Sequence, residues 1–286
     1  MWHEFLWILS KGIYIILHRT KTKIENIGMK VSNSISLKSN KELAFMKEAG
    51  AIVADVMQTV VSKVDPGITT KELDDIALKE ISASGAKPAF LGYLGFPACF
   101  CISVNDEIVH GIPSDRKLFE GDIVSIDGGV IVNGYYSDHA VTVPVGKITE
   151  KLDNLIFDTR KSLYKAIELC KEDNRIGDIG NAIESYIIPK KYGLVREYVG
   201  HGIGRNLHEG PQIPNYGEKE TGLKLNNGMV IAIEPMINIG GEKTVLCDDG
   251  WTVKTADGSQ SAHFEHTVAI TEEGPIILTE NGDKNG

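Results

Sequence analysis

A chain of 286 residues, 42% hydrophobic and 24% charged, has the composition of an ordinary soluble enzyme and the length to bury one large core or two fused halves. Its 30 Lys and Arg against 39 Asp and Glu leave a formal charge of −9, which argues against a surface built generally to hold nucleic acid. Four cysteines, Cys99, Cys101, Cys170 and Cys247, follow neither zinc-ribbon nor disulfide-framework spacing, so a reducing compartment is the simplest reading.

Residues 1–40 read as an N-terminal extension. The apolar run 5–17 is interrupted by Lys11 and is too short for a membrane span, and neither a basic leader nor a small-residue cleavage site accompanies it. Lys11, Arg19, Lys21, Lys23 and Lys30 outnumber Glu4 and Glu25, as in an organelle presequence or a weak membrane-surface segment. The alternative is a true start at Met29. Cytoplasmic residence is expected, with organellar targeting by residues 1–40 as the other outcome.

Residues 41–286 read as a single α+β catalytic domain. Lys41 to Val64 carries helical apolar spacing through Leu43, Met46, Ile52, Val53, Val56, Val60 and Val61, and stops at Asp65-Pro66-Gly67. Thr69 and Glu72 form a capping box that opens a second helix, ending near Gly85. A strand is expected around Cys99 to Asn105, where a single spacer turns both thiols to one face. A metal or redox role for that pair competes there with plain structural thiols.

A hairpin follows. Asn133-Gly134 is a two-residue type I′ signal between β-branched runs, so Val132 pairs with Tyr135 and Asp138 falls opposite Gly129. Asp127 is then the diagonal neighbour of Asp138 on the same face, with Cβ atoms about 7–8 Å apart. Two half-buried carboxylates that close repel unless protonated or bridged by cations. The second half repeats the order: helices near Leu152 to Cys170 and Ile176 to Ile187, then three strand-like segments. His201 and His208 share a glycine-rich stretch, and Glu234 and Glu265 each interrupt an apolar run that reads as a central strand.

Taken singly, each of these residues has a plain explanation: Asp127 and Asp138 as turn chemistry beside Asn-Gly, His201 and His208 as satisfied loop histidines, Glu265 as half of a salt bridge. Jointly, four carboxylates and one imidazole on strand-like segments make an oxygen-rich site for two divalent ions roughly 3.5–4 Å apart.

The segments Val109-His110-Gly-Ile-Pro, Ser125-Ile-Asp127, Ser137-Asp138, Gly200-His201-Gly-Ile-Gly, His208-Glu-Gly-Pro, Ile233-Glu234-Pro-Met and Phe264-Glu265-His-Thr resemble those of the type I, bacterial-like methionine aminopeptidases. The resemblance runs from about Leu43 to Thr279, and the 25 residues between His208 and Glu234 leave no room for the insertion of type II members. It implies a pita-bread fold, two pseudo-symmetric halves with a central antiparallel sheet flanked by helices and a dinuclear site where they join. It also implies removal of the initiator methionine when the second residue is small, by attack of a metal-bridging hydroxide on the first peptide bond. By the same resemblance Asp127 binds one metal and His201 the other, Asp138 and Glu265 bridge them, and Glu234 ligates and shuttles the proton. His208 would stabilise the oxyanion and His110 bind the scissile amide. Tyr93, Phe96, Cys101, Leu207 and Trp251 match the methionine pocket. Phe90, Phe96 and Leu207 depart from the residues common there, which leaves the chemistry intact and bears on pocket shape.

Two other classes compete: a prolidase or aminopeptidase P, which shares the five ligands but carries an N-terminal domain, and a non-catalytic binding protein on the same fold. His110, Trp251, the short chain and the intact ligand set favour methionine removal. Cobalt, manganese, iron(II) and zinc all suit the donors. The expected partners are nascent polypeptide N-termini and no specific nucleic acid, with a monomer as the family expectation. Any transient ribosome contact would use the catalytic domain itself, because no zinc-finger extension is present.

Overall fold

In the computed structural model, residues 35–280 are described, and the apolar run 5–17 and Met29 lie outside them. The chain folds through helices α1 (Asn40–Val61) and α2 (Thr70–Ser84) and strands β1 (Lys87–Pro88), β2 (Phe100–Val104), β3 (Glu107–Val109), β4 (Ile123–Val132) and β5 (Tyr135–Pro144). Helices α3 (Glu150–Ile167) and α4 (Ile176–Ile187) open the second half. Strands β6 (Gly193–Leu194), β7 (Gly200–Gly202), β8 (Glu209–Ile213), β9 (Val230–Ile233), β10 (Met236–Asn238), β11 (Thr244–Leu246), β12 (Val253–Thr255), β13 (Ser261–His263), β14 (Glu265–Thr271) and β15 (Gly274–Ile277) complete it. No helix among the described residues is long and apolar enough to cross a membrane.

The helices begin where their caps dictate. The Thr69 side chain accepts from Glu72 N while Glu72 reaches back to Thr69 N, and Gly85 ends α2 in the left-handed conformation at φ 78°. Helix α1 stops at Val61, short of the expected Val64. Asp65 precedes a proline and resists the helical region, and Lys63 N and Val64 N already bond to carbonyls only three residues back.

The main sheet runs β1-β4-β5-β14-β9-β7-β8, with β2 also on β4 and β15 on β14, and its ladders are antiparallel. Both halves therefore share one curled sheet, joined where β5 meets β14. Two three-stranded sheets, β13-β10-β6 and β11-β12-β3, lie beside it and were not foreseen from sequence. One face of the main sheet is covered by helices. Val124, Ile126 and Val130 pack with α1 and α2, and Ile231, Ile233, Val268 and Ile270 with α3 and α4, giving each half its own core. Because side chains alternate along a strand, the intervening residues must face the other way. That face carries the acids.

Close packing of α1 gives a test with an unusual sign. Gly50→Ala in a helix interior ordinarily gains about 1 kcal/mol. Here the added Cβ would lie 2.1 Å from the Leu278 carbonyl oxygen, a backbone atom with little freedom to retreat. The expected result is a net loss of about 2 kcal/mol, read as a lower urea midpoint at unchanged m; a raised midpoint would show that the C-terminal segment yields.

Candidate metal centre

Strand register alone brings the acids together. Val132 pairs with Tyr135 and Gly129 with Asp138, as the Asn-Gly turn requires, with φ 52° and 80° at Asn133 and Gly134. Asp127 pairs with Ala140, and Ala140 pairs on its other side with Glu265 of β14. From Glu265 the same face continues through Thr267 to Ala232 of β9, and Ala232 pairs with His201 of β7. Asp127, Asp138, Glu265 and His201 therefore share one face across five strands. Oxygen or nitrogen donors of Asp138, His201 and Glu265 lie within 4.8 Å of one another. Gly129 has no side chain opposite Asp138, and a Cβ there would stand 3.4 Å from Asp138 Oδ1.

Glu234 is placed differently from the expectation. It follows β9 instead of sitting inside a strand, because Pro235 cannot donate to a ladder. Its side chain still reaches the site, with Oε1 3.7 Å from His201 Nε2. Its carbonyl accepts from Asn215 Nδ2 at 3.0 Å, which fixes the break.

The electrostatics are those of a site short of positive charge. Burial pushes the carboxyls of Asp127, Glu234 and Glu265 well above the usual range, and the neighbouring carboxylates push them further. Asp138 is raised to about 7, chiefly by burial. Asp127 Oδ1 and Glu265 Oε1 are buried without a hydrogen-bond partner. Acceptors left unpaired in a protein interior are costly unless a cation satisfies them. His201 is prepared in the same sense: burial holds it neutral, with its pKa down to about 4, and its Nδ1 donates to the Gly202 carbonyl at 2.9 Å. That leaves the Nε2 lone pair facing the acids, the arrangement of a metal-ligating histidine. The donor set fits divalent cations.

The remaining candidates gather around this face. His208 sits in the turn before β8; its ring lies 4.3 Å from that of His201, and its Nδ1 is 2.8 Å from the Tyr93 hydroxyl. Burial, with the neighbouring His201 and His110 adding to it, drives its pKa down to about 2. His110 follows β3 at φ 61°, a left-handed conformation uncommon outside glycine, and presents its ring edge-on to Tyr198 at 6.0 Å. Cys101 pairs with Asp127 in register and so shares the acids' face. Phe90, Phe96, Cys101 and Leu207 are buried together, with Tyr93 and Trp251 packed against them, and Phe96 meets Trp251 edge-on at 5.1 Å. The thiol of Cys101 is held protonated by burial and by the acids beside it, and Cys99 is likewise raised, to about 12.

Sequence reasoning passed over His263. It is 1% exposed, its Nε2 lies 3.8 Å from Glu234 Oε2, and neither ring nitrogen has a hydrogen-bond partner. Its place two residues before Glu265 was the available signal, although the strand breaks between them, with His263 ending β13 and Glu265 opening β14. Thr267 was also missed; its hydroxyl donates to Asp138 O and accepts from Asp138 N.

Comparison with known proteins follows the same lines. A family model described as metallopeptidase family M24 matches residues 44–272. The methionine aminopeptidase of Clostridium perfringens is 51% identical over 245 residues, 86% of this chain and 98% of that protein. The crystal structure of methionine aminopeptidase from Thermotoga maritima matches with a TM-score of 0.85 at 45% identity, over 87% of this chain and 100% of the other. The prolidase of Pyrococcus furiosus matches with a TM-score of 0.70 at 26% identity, and this chain covers 66% of its length. Fold, family model and identity along nearly the whole of its relatives agree that the chain belongs to metallopeptidase family M24 and, within it, to the methionine aminopeptidases.

Proposed function

We propose that the chain removes the N-terminal methionine from polypeptides whose second residue is small, hydrolysing the first peptide bond with divalent metal held by Asp127, Asp138, His201, Glu234 and Glu265. The observation that supports this most directly is the row Asp127, Ala140, Glu265, continued through Thr267 and Ala232 to His201, on one buried face of the sheet. Four carboxylates and one imidazole provide for two ions, of which cobalt, manganese, iron(II) and zinc all suit the donors. Bound there, they would supply Lewis-acid activation of water and of the scissile carbonyl.

The protein's own groups divide the rest of the work. Glu234, whose Oε1 lies 3.7 Å from His201 Nε2, takes a proton from the attacking water and returns it to the leaving amine as general base and then general acid. The neutral His208 ring has its Nδ1 2.8 Å from the Tyr93 hydroxyl, and in the tautomer in which Tyr93 donates to Nδ1 its Nε2 carries the proton, a donor for the developing oxyanion. His110, held neutral by burial at about 4, binds the scissile amide. The site-face cluster of Phe90, Phe96, Cys101, Leu207, Tyr93 and Trp251 receives the unbranched thioether side chain. Nascent chains supply the substrate, and cytoplasmic residence is the reading that goes with it.

Metal-stripped protein refilled with cobalt or manganese is expected to release methionine from Met-Ala-Ser and to leave Ala-Pro intact, with Met-Phe-Ser cleaved ~100-fold less efficiently in kcat/KM. Cleavage of Ala-Pro would move the chain to the prolidases, and silence with every metal would favour a binding protein.

A further inference from the structure

A buried lysine outside the metal centre has no part in the chemistry above. Lys38 lies just before α1, 171 residues from its partner; its Nζ donates to Glu209 Oε2 at 2.7 Å, with side chains 3% and 10% exposed. Its second contact is the Ser36 carbonyl at 3.0 Å. The backbone around it is also tied down: Lys38 N donates to Gly228 O at 2.7 Å, and Ile35 forms a parallel bridge to Gly210. The segment thus runs along β8, the last strand on that side of the main sheet.

Glu209 is the residue after His208. Its other oxygen, Oε1, accepts from Asn206 N at 3.1 Å, so one carboxylate closes the turn that carries Leu207 into the pocket and His208 toward Tyr93. The space for the pair is kept clear by Gly204, where a Cβ would stand 2.5 Å from Lys38 Cε, 2.7 Å from its Nζ and 2.9 Å from Glu209 Oε2. A buried ion pair adds little net stability, because desolvation offsets the attraction, but it holds its two ends in one geometry. What this pair fixes is a turn bearing a residue of the proposed catalytic apparatus.

We infer that Lys38 is a positioning residue for His208, acting through Glu209, and that residues 35–39 are a strap of the catalytic unit. The inference rests on the role given to His208 above. With the ammonium gone, Glu209 is left buried and unpaired, and the turn relaxes to hydrate it. His208 then loses its alignment with Tyr93, while the acids, held by the sheet ladder, stay in place.

Three full-length variants test this: Lys38→Met, the double variant Lys38→Met with Glu209→Gln, and Gly204→Ala, which crowds both ends of the ion pair without altering either charge. With Met-Ala-Ser as substrate, Lys38→Met and Gly204→Ala are expected to lower kcat ~10–100-fold with KM and bound metal unchanged. The double variant, which has no unpaired buried carboxylate, should recover a clear part of that loss. In protein labelled with 15N-histidine, the His208 ring resonances should shift in both Lys38→Met and Gly204→Ala. Unmoved His208 resonances, or a fall in bound metal that accounts for the whole loss of activity, would overturn the inference. Should Lys38→Met fail to fold, Gly204→Ala decides on the same readouts. The His208 resonances need no turnover, so a wild-type chain that releases no methionine would sink the functional reading while leaving the strap still under test.

Discussion

Asp138→Ala is expected to lower methionine release by ~1000-fold or more, equivalent to about 4 kcal/mol of transition-state stabilisation, and to leave the protein folded. The size follows from position. Asp138 is the carboxylate grouped with both His201 and Glu265, and it raises the carboxyls of Asp127, Glu234 and Glu265, so it stands between the two ends of the row. Its main-chain anchor survives the change, because Asp138 N and O bond to the Thr267 hydroxyl and β5 stays in register with β4. Removing its side chain thus removes charge from the centre without unzipping the sheet. Two measurements check this together: methionine release from Met-Ala-Ser, and the rise in melting temperature on adding manganese to stripped protein. Wild type should gain about 2.7 kcal/mol at a metal concentration 100-fold above Kd, and the variant much less. A variant that keeps a tenth of wild-type activity with full metal-dependent stabilisation would remove Asp138 from the ligand set.

How much of this was legible beforehand depends on the range of each interaction. The facing of Asp127 and Asp138 needed only a two-residue turn and the period of a strand, and the observed pairs match residue for residue. The alignment of Asp127 with Glu265 is a different matter: β5 meets β14 across more than a hundred residues, and no local signal sets that register. Only the resemblance to a family supplied it. Glu234 was misplaced because an apolar run was read as continuous through Pro235, where the ladder breaks. His263 went unnoticed because a histidine on a short strand competes with too many plain explanations, and the break between β13 and β14 that turns it toward Glu234 has no local signal. Lys38 carried no signal, since a lone lysine in a polar stretch gives no hint that it buries its ammonium against Glu209. Local chemistry was readable, and the contacts that make it a site were decided by tertiary pairing.

His208→Ala should lower kcat by ~100–1000-fold while leaving bound metal unchanged, the pattern of a lost oxyanion donor. Its hydrogen bonding sets it apart from His201, the histidine proposed to hold metal. Its Nδ1 is engaged by Tyr93, unlike that of His201, which donates to a carbonyl and leaves Nε2 free for metal. Its pKa, driven down to about 2, means that the ring is neutral throughout the physiological range and donates through one nitrogen only. Which nitrogen that is depends on Tyr93. Tyr93→Phe removes the hydroxyl without touching the tilted ring contact at 5.4 Å, and leaves the imidazole tautomer without its partner at Nδ1. A smaller fall follows, about tenfold, because the useful tautomer is still populated and the ring is still packed against His201. The pair of variants is decisive when measured as a cycle. If Tyr93 acts through His208, the double variant is no worse than His208→Ala alone, since there is no ring left to orient. Additive losses would instead show that the Tyr93 hydroxyl acts independently of His208, apart from the place of its ring in the pocket wall.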